Sequence, residues 1–104
     1  SAVFSQDEGH LDSAGAAGIT RLLNDGSYID ALSKLKEVKQ QFSHKKPSYQ
    51  YIKLLLDVGG IFSEKGDYEP SQQYLFEALA LSSANGMEQL ECDAMLEIGY
   101  VYYF

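Results

Sequence analysis

An all-α fold of antiparallel helical hairpins, five helices in all, is predicted by three observations. The first is helical spacing. In the stretch LLDVGGIFSEKGDYEPSQQYLFEALAL, Leu55 to Leu81, the residues Leu55, Val58, Gly59 and Phe62 recur at i, i+3, i+4, i+7. Ser71, Leu75, Ala78 and Leu79 then mark the inner face of a second helix. The second observation is Gly66-Asp67 between them, with glycine suited to the left-handed residue that ends a helix and aspartate to the cap of the next. The third is an internal repeat. Gly26 and Gly66 lie 40 residues apart, as do Tyr28 and Tyr68, Ala31 and Ser71, Leu35 and Leu75, and Val38 and Ala78. The same shift carries Ile19 to Gly59 to Gly99, and Leu22 to Phe62 to Tyr102.

Each element follows in order. The segment SAVFSQDEGH, residues 1–10, lacks helical periodicity and is expected to be disordered or frayed. It reads alternatively as the tail of a secretory signal peptide. The domain proper is expected over residues 11–104. A first helix spans Leu11 to Asn24, with Ala14, Gly18, Ile19 and Leu22 on its inner side, and Asn24-Asp25-Gly26 ends it. Ser27 is placed to cap the second helix, with Asp30 completing a box-like arrangement. That helix runs from Tyr28 to about Phe42. It buries Ala31, Leu32, Leu35, Val38 and Phe42 and turns Lys34, Lys36, Lys39 and Gln40 to water.

Ser43 to Lys46 forms a basic turn, and Pro47 suits the first turn of the third helix, where its missing N–H costs nothing. The third helix extends to about Lys65, with Tyr51, Ile52, Leu54, Leu55, Leu56 and Val58 wide enough to touch neighbours on two sides. Small residues (Gly59, Ser71, Ala78) alternate with large ones (Leu55, Phe62, Tyr68, Leu75), as close helix packing requires. Pro70 falls in the first turn of the fourth helix, where it is tolerated. Asn85-Gly86 ends that helix, and a fifth runs from Met87 to Phe104 with Leu90, Ala94, Met95, Ile98, Gly99 and Tyr102.

Leu55, Val58, Gly59, Phe62, Gly66, Tyr68, Ser71, Leu75 and Ala78 together resemble the tetratricopeptide-repeat (TPR) signature: apolar, an apolar–small pair, an aromatic, a Gly-x-aromatic turn, then small, large and small. The resemblance implies a TPR-like right-handed superhelix of about two and a half repeats. The period here exceeds the common unit of about 34 residues. The additional residues are expected between hairpins, at Gln41 to Pro47 and Ser82 to Gln89. The fifth helix matches only the first half of a third unit. Repeats hide their apolar faces against one another. Tyr100, Val101, Tyr103 and Phe104 are therefore expected to lack a covering helix, as in a fragment of a longer protein, and to pack against a second copy.

Charge and composition exclude several classes. Fifteen acidic against eight basic residues give −7, which argues against nucleic acid or an anionic membrane surface as partner. No apolar run approaches the roughly 20 residues needed to cross a bilayer. Cys92 is the single cysteine, so an internal disulfide is impossible and the redox compartment stays open. A cytoplasmic location is favoured, and an extracytoplasmic one follows if SAVFSQ is a signal-peptide remnant.

No phosphate-cradling glycine loop, nucleophile elbow or paired zinc ligands occur, so the chain is read as a non-enzyme without metal or cofactor. Asp7, Glu8, His10 and Asp12 lack the spacing of a calcium loop. His44 reads as an exposed helix-end residue. Cys92 has no activating base nearby in sequence.

The TPR resemblance implies instead a concave groove lined by the first helix of each unit, binding a protein, a peptide or a helix. Counting from the Gly-x-Tyr turn, it assigns Ala16, Thr20, Leu23 and Asn24 to the groove in the first unit, and Lys53, Leu56, Gly60, Ser63 and Glu64 in the second. The third contributes Asp93, Leu96, Tyr100, Tyr103 and Phe104. Relatives that grip a chaperone's terminal carboxylate place Lys and Asn where this chain has Ala16 and Thr20, so that clamp is not expected. The groove is mildly polar with an apolar, aromatic end. Two alternatives stand beside a binding module: a sensory or regulatory input region of a larger bacterial-type signalling or transcription-regulating protein, and a self-association module forming a homodimer through the last helix.

Overall fold

The computed structural model describes Leu11 and residues 13–103, with the side chains of Ser13 and Tyr103 outside that description. The fold is all-α. Among the described residues five helices follow in order: α1 Ser13–Asn24, α2 Tyr28–Gln41, α3 Tyr49–Glu64, α4 Tyr68–Ala84 and α5 Glu88–Tyr103. No strand occurs among the described residues. The expectations for SAVFSQDEGH, including its acidic cluster, and for Phe104 fall outside the described residues.

One turn recurs three times. At Gly26 the backbone takes φ +85°, the Gly26 N–H donates to the Leu23 carbonyl (3.1 Å) and the Ser27 N–H to that of Leu22 (2.8 Å). Gly66 (φ +79°) and Gly86 (φ +68°) repeat the pattern, with Asp67 N–H on the Phe62 carbonyl and Met87 N–H on that of Ser82, each at 2.9 Å. Glycine is required because a side chain is strained at such φ, and the two bonds satisfy carbonyls that a helix end leaves open. The sequence placed the glycines correctly but gave the caps more than they do. Ser27 and Asp67 occupy N-cap positions with ψ of 65° and 74°, and neither makes a side-chain cap bond. The preceding turn already fixes the chain entry through the Ser27 and Asp67 N–H groups.

The connection from α2 to α3 is different. Phe42 to Ser48 lies outside any helix, and there a side chain does cap: the Ser48 hydroxyl accepts from the Tyr51 N–H at 3.2 Å. Pro47 therefore sits before the cap, not in the first turn of α3. The second expected lengthening, Ser82 to Gln89, is mostly helix: α4 continues to Ala84 and α5 begins at Glu88. Extra length there is absorbed as helical turn because a Schellman glycine needs only three residues to reverse the chain.

Two compact units divide the chain, at Tyr51 and Ile52. In the first, α1 and α2 pack as a hairpin around buried Ile19, Leu23, Ala31, Leu35 and Val38. Phe42 stacks on Tyr51 with ring centroids 4.5 Å apart. Leu32, expected in this core, is 37% exposed, because it lies a third of a turn off the row Ala31–Leu35–Val38. Ala14 is exposed and Leu23 fully buried, so α1 is rolled toward its larger side chains.

In the second unit α3, α4 and α5 share a core of Leu55, Val58, Phe62, Leu75, Ala78, Leu90 and Ala94. Two of its helices, α3 and α4, come close at Gly59. A β-carbon there would stand 2.6 Å from Leu75 Cδ2, and the buried Ser71 hydroxyl donates to the Gly59 carbonyl at 2.7 Å. Phe62 stacks on Tyr74 at 5.9 Å. Val101, expected uncovered, is 5% exposed, because it continues the inward row Leu90–Ala94 of α5. Tyr28 and Tyr68 are alike, at 38% and 41% exposure, each opening the helix after a glycine turn. Tyr68 is thus a surface residue rather than one of the packed large residues.

Gly59 and Gly99 are 40 residues apart and structurally opposite: a β-carbon at Gly99 meets nothing within 4 Å. Gly59→Ala is expected to lower stability by about 1–3 kcal/mol through overpacking. Gly99→Ala should raise it by up to about 1 kcal/mol, from helix propensity alone. Thermal melts of the two variants beside the parent check both signs. Ser71→Ala, which keeps the close approach but removes the hydroxyl bond, should cost about 0.5–1.5 kcal/mol in the same melts.

Candidate partner-binding face on α3 and α5

On α3 the residues Lys53, Leu56, Asp57, Gly60, Ser63 and Glu64 recur at three- and four-residue intervals and form one stripe, turned away from the row Leu55–Val58–Phe62. Within the same unit the stripe adjoins α5 at Gly60. A side chain built there would reach within 4.0 Å of Glu97 Oε2. By helical spacing Asp93, Leu96 and Tyr100 flank Glu97 on α5. Gly60 is half-buried, and its lack of a side chain leaves a shallow floor between the two helices.

The electrostatics are one-sided. Lys53 Nζ lies 3.5 Å from Asp57 Oδ1, both side chains about half exposed (47% and 46%). Glu64 is exposed, Glu97 half-buried, and the Asp93 carboxylate accepts from Gln89 Nε2 at 3.1 Å. This face thus carries four carboxylates and one lysine, itself neutralised in part by its i+4 partner. Leu96 at 68% and Tyr100 at 63% exposure supply the apolar contact area. Such a surface attracts cationic groups and can seat an apolar side chain between them.

The expected site residues divide by position. Lys53, Gly60, Ser63, Glu64, Asp93, Leu96 and Tyr100 line this face. Leu56 is on the stripe but only 8% exposed, so it supports the floor and offers a partner little. Thr20 and Asn24 belong to the first unit. There the Thr20 hydroxyl donates to the Ala17 carbonyl at 3.0 Å, and Asn24 is exposed at the end of α1. Leu23, also counted to the groove, is fully buried. Tyr103 closes α5 with its side chain outside the described residues.

Asp57 and Glu97 were not singled out from sequence, yet they set the sign of the surface. A signal for them existed: they are 40 residues apart, and Asp57 stands four residues after Lys53.

Among the described residues no group of three or more His, Cys, Asp or Glu is placed to hold a metal ion. Nor does any buried side-chain N or O atom there lack a hydrogen-bond partner. His44 and Cys92 are exposed. No helix of the described residues is long and apolar enough to cross a membrane. No family model matches the chain, and neither a curated protein nor a solved structure matches it.

Because Lys53 and Asp57 are both half exposed, Lys53→Ala is expected to change stability by no more than about 0.5 kcal/mol. Denaturant melts showing a larger loss would mean that the pair holds α3 in place rather than decorating its surface.

Proposed function

We propose that this chain is a TPR-like protein-interaction module rather than an enzyme, and that its α3–α5 face binds a cationic segment of another protein. The observation that carries the reading is the approach of Gly60 to Glu97. It joins two helices into one shallow surface on which Asp57, Glu64, Asp93 and Glu97 accompany exposed Leu96 and Tyr100. Helix or extended peptide recognition needs that combination: apolar anchors for affinity and a charged margin for register.

A Lys/Ala-based helical peptide and its Glu/Ala counterpart, titrated calorimetrically, test the reading. The cationic peptide alone is expected to bind. Glu97→Lys or Tyr100→Glu should weaken it by about fivefold or more, a loss of roughly 1 kcal/mol. Glu69→Lys, the same charge change at an exposed position on α4, should have a smaller effect. Equal binding of both peptides, or equal losses at Glu69 and Glu97, would leave only the general attraction of a chain with net charge −7 and end the proposal.

A further inference from the structure

Exposed apolar side chains are not scattered over this chain. Apart from the tyrosines that open helices, Phe76, and Leu96 and Tyr100 of the face described above, they gather on two faces, one of α2 and one of α5. On α2, Ile29 (85% exposed) and Leu32 (37%) lie on the side turned away from Ala31, Leu35 and Val38, and Lys36 continues that row. On α5, Met95 (53%), Gly99 and Tyr102 (65%) lie on the side turned away from Leu90, Ala94 and Val101, and Glu88 and Glu91 precede them. Tyr102 meets Phe76 of α4 edge-on at 6.3 Å, which widens the second patch.

The two faces carry opposite charge. The whole net charge of −7 arises from residue 52 onward, where nine acidic side chains accompany Lys53 and Lys65. Within α5 every charged residue is acidic: Glu88, Glu91, Asp93 and Glu97. Two α5 faces brought together would therefore repel. On α2 the row Ile29–Leu32 continues at three- and four-residue spacing into Lys36 and Lys39, while Asp30, Lys34 and Glu37 fall off it.

We propose that the outward face of α5 in one copy packs antiparallel on the outward face of α2 in a second copy. Polarity along the helices selects this arrangement. On α2 the apolar residues come first and the lysine follows; on α5 the glutamates come first and the apolar residues follow. Antiparallel pairing sets Ile29 against Gly99 and Leu32 beside Met95. It brings Lys36 to the turn that carries Glu88 and Glu91. At Gly99 an incoming side chain finds open space, since even a β-carbon built there meets nothing within 4 Å. Opposed helix dipoles add to the attraction. The contact uses different patches on its two sides, so one copy offers both halves of it and can be joined through either. It does not depend on the cation-binding face, which uses the Asp93–Glu97–Tyr100 side of α5.

Sedimentation of the chain over a range of concentrations tests the proposal. The parent is expected to self-associate in a concentration-dependent way. Ile29→Glu and Met95→Glu, both at exposed positions, should each sediment as monomers with unchanged helicity by circular dichroism. Mixed one to one, they should recover a dimer that does not grow, because one variant keeps a sound α5 face and the other a sound α2 face. Should either variant lose helicity, Lys36→Glu and Glu91→Lys are mixed in the same way; the pair restores the ion pair with its charges exchanged, and association should return by about tenfold over either alone. A parent that stays monomeric, an Ile29→Glu variant that associates like the parent, or a mixture that stays monomeric overturns the proposal. In the first case peptide binding at Glu97 and Tyr100 is measured independently, so the two readings fail separately.

Discussion

The closeness of α3 and α4 at Gly59 is the constraint on which the second unit depends. Leu75 occupies the volume that any side chain at position 59 would take, and the Ser71 hydroxyl bonds the Gly59 carbonyl across the same gap. A carbonyl already inside a helix keeps a second lone pair, so it accepts that bond without breaking the helical ladder. The approach fixes the spacing of the two helices and lets Phe62 stack on Tyr74 one turn further on. Leu55, Val58 and Ala78 are then sealed from water, and burying each large apolar side chain contributes about 1.5–3 kcal/mol.

The glycine turns act with that contact. Gly26, Gly66 and Gly86 each end a helix with the same pair of backbone bonds and release the chain in the same direction after three residues. Short turns leave little freedom in how consecutive helices meet, so the small residues at 59 and 71 face one another by construction. The α2–α3 connection lacks such a glycine and is longer, with its order supplied by the Ser48 cap and the Phe42–Tyr51 stack. Lys45 and Lys46 lie in this connection.

The proposed function rests on what this packing leaves outside. A helix of α5's composition cannot bury every apolar residue against α4, so Met95, Leu96, Tyr100 and Tyr102 reach the surface on two sides. One side adjoins the α3 stripe at Gly60 and carries carboxylates. The other is a flatter apolar row preceded by glutamates. Both are the surfaces proposed above for recognition, and both carry acidic side chains.

The sequence by itself determined the helices, their order, the three turn glycines and most of the core, because those follow from local chemistry: apolar spacing, positive φ and small residues at fixed intervals. Leu32, Leu56 and Tyr68 show where it stopped. Leu32 is as hydrophobic as Leu35, and Tyr68 stands at a repeat position, yet burial is a matter of which residues meet a neighbour, and a shift of one position around a helix is about 100°. The tertiary structure alone decided that Ser27 and Asp67 do not cap through their side chains, that Val101 turns inward while Tyr102 does not, and that Glu97 comes to Gly60. Each of these depends on atoms distant in sequence or on competition between neighbouring residues for one place, and no periodicity records the outcome of that competition.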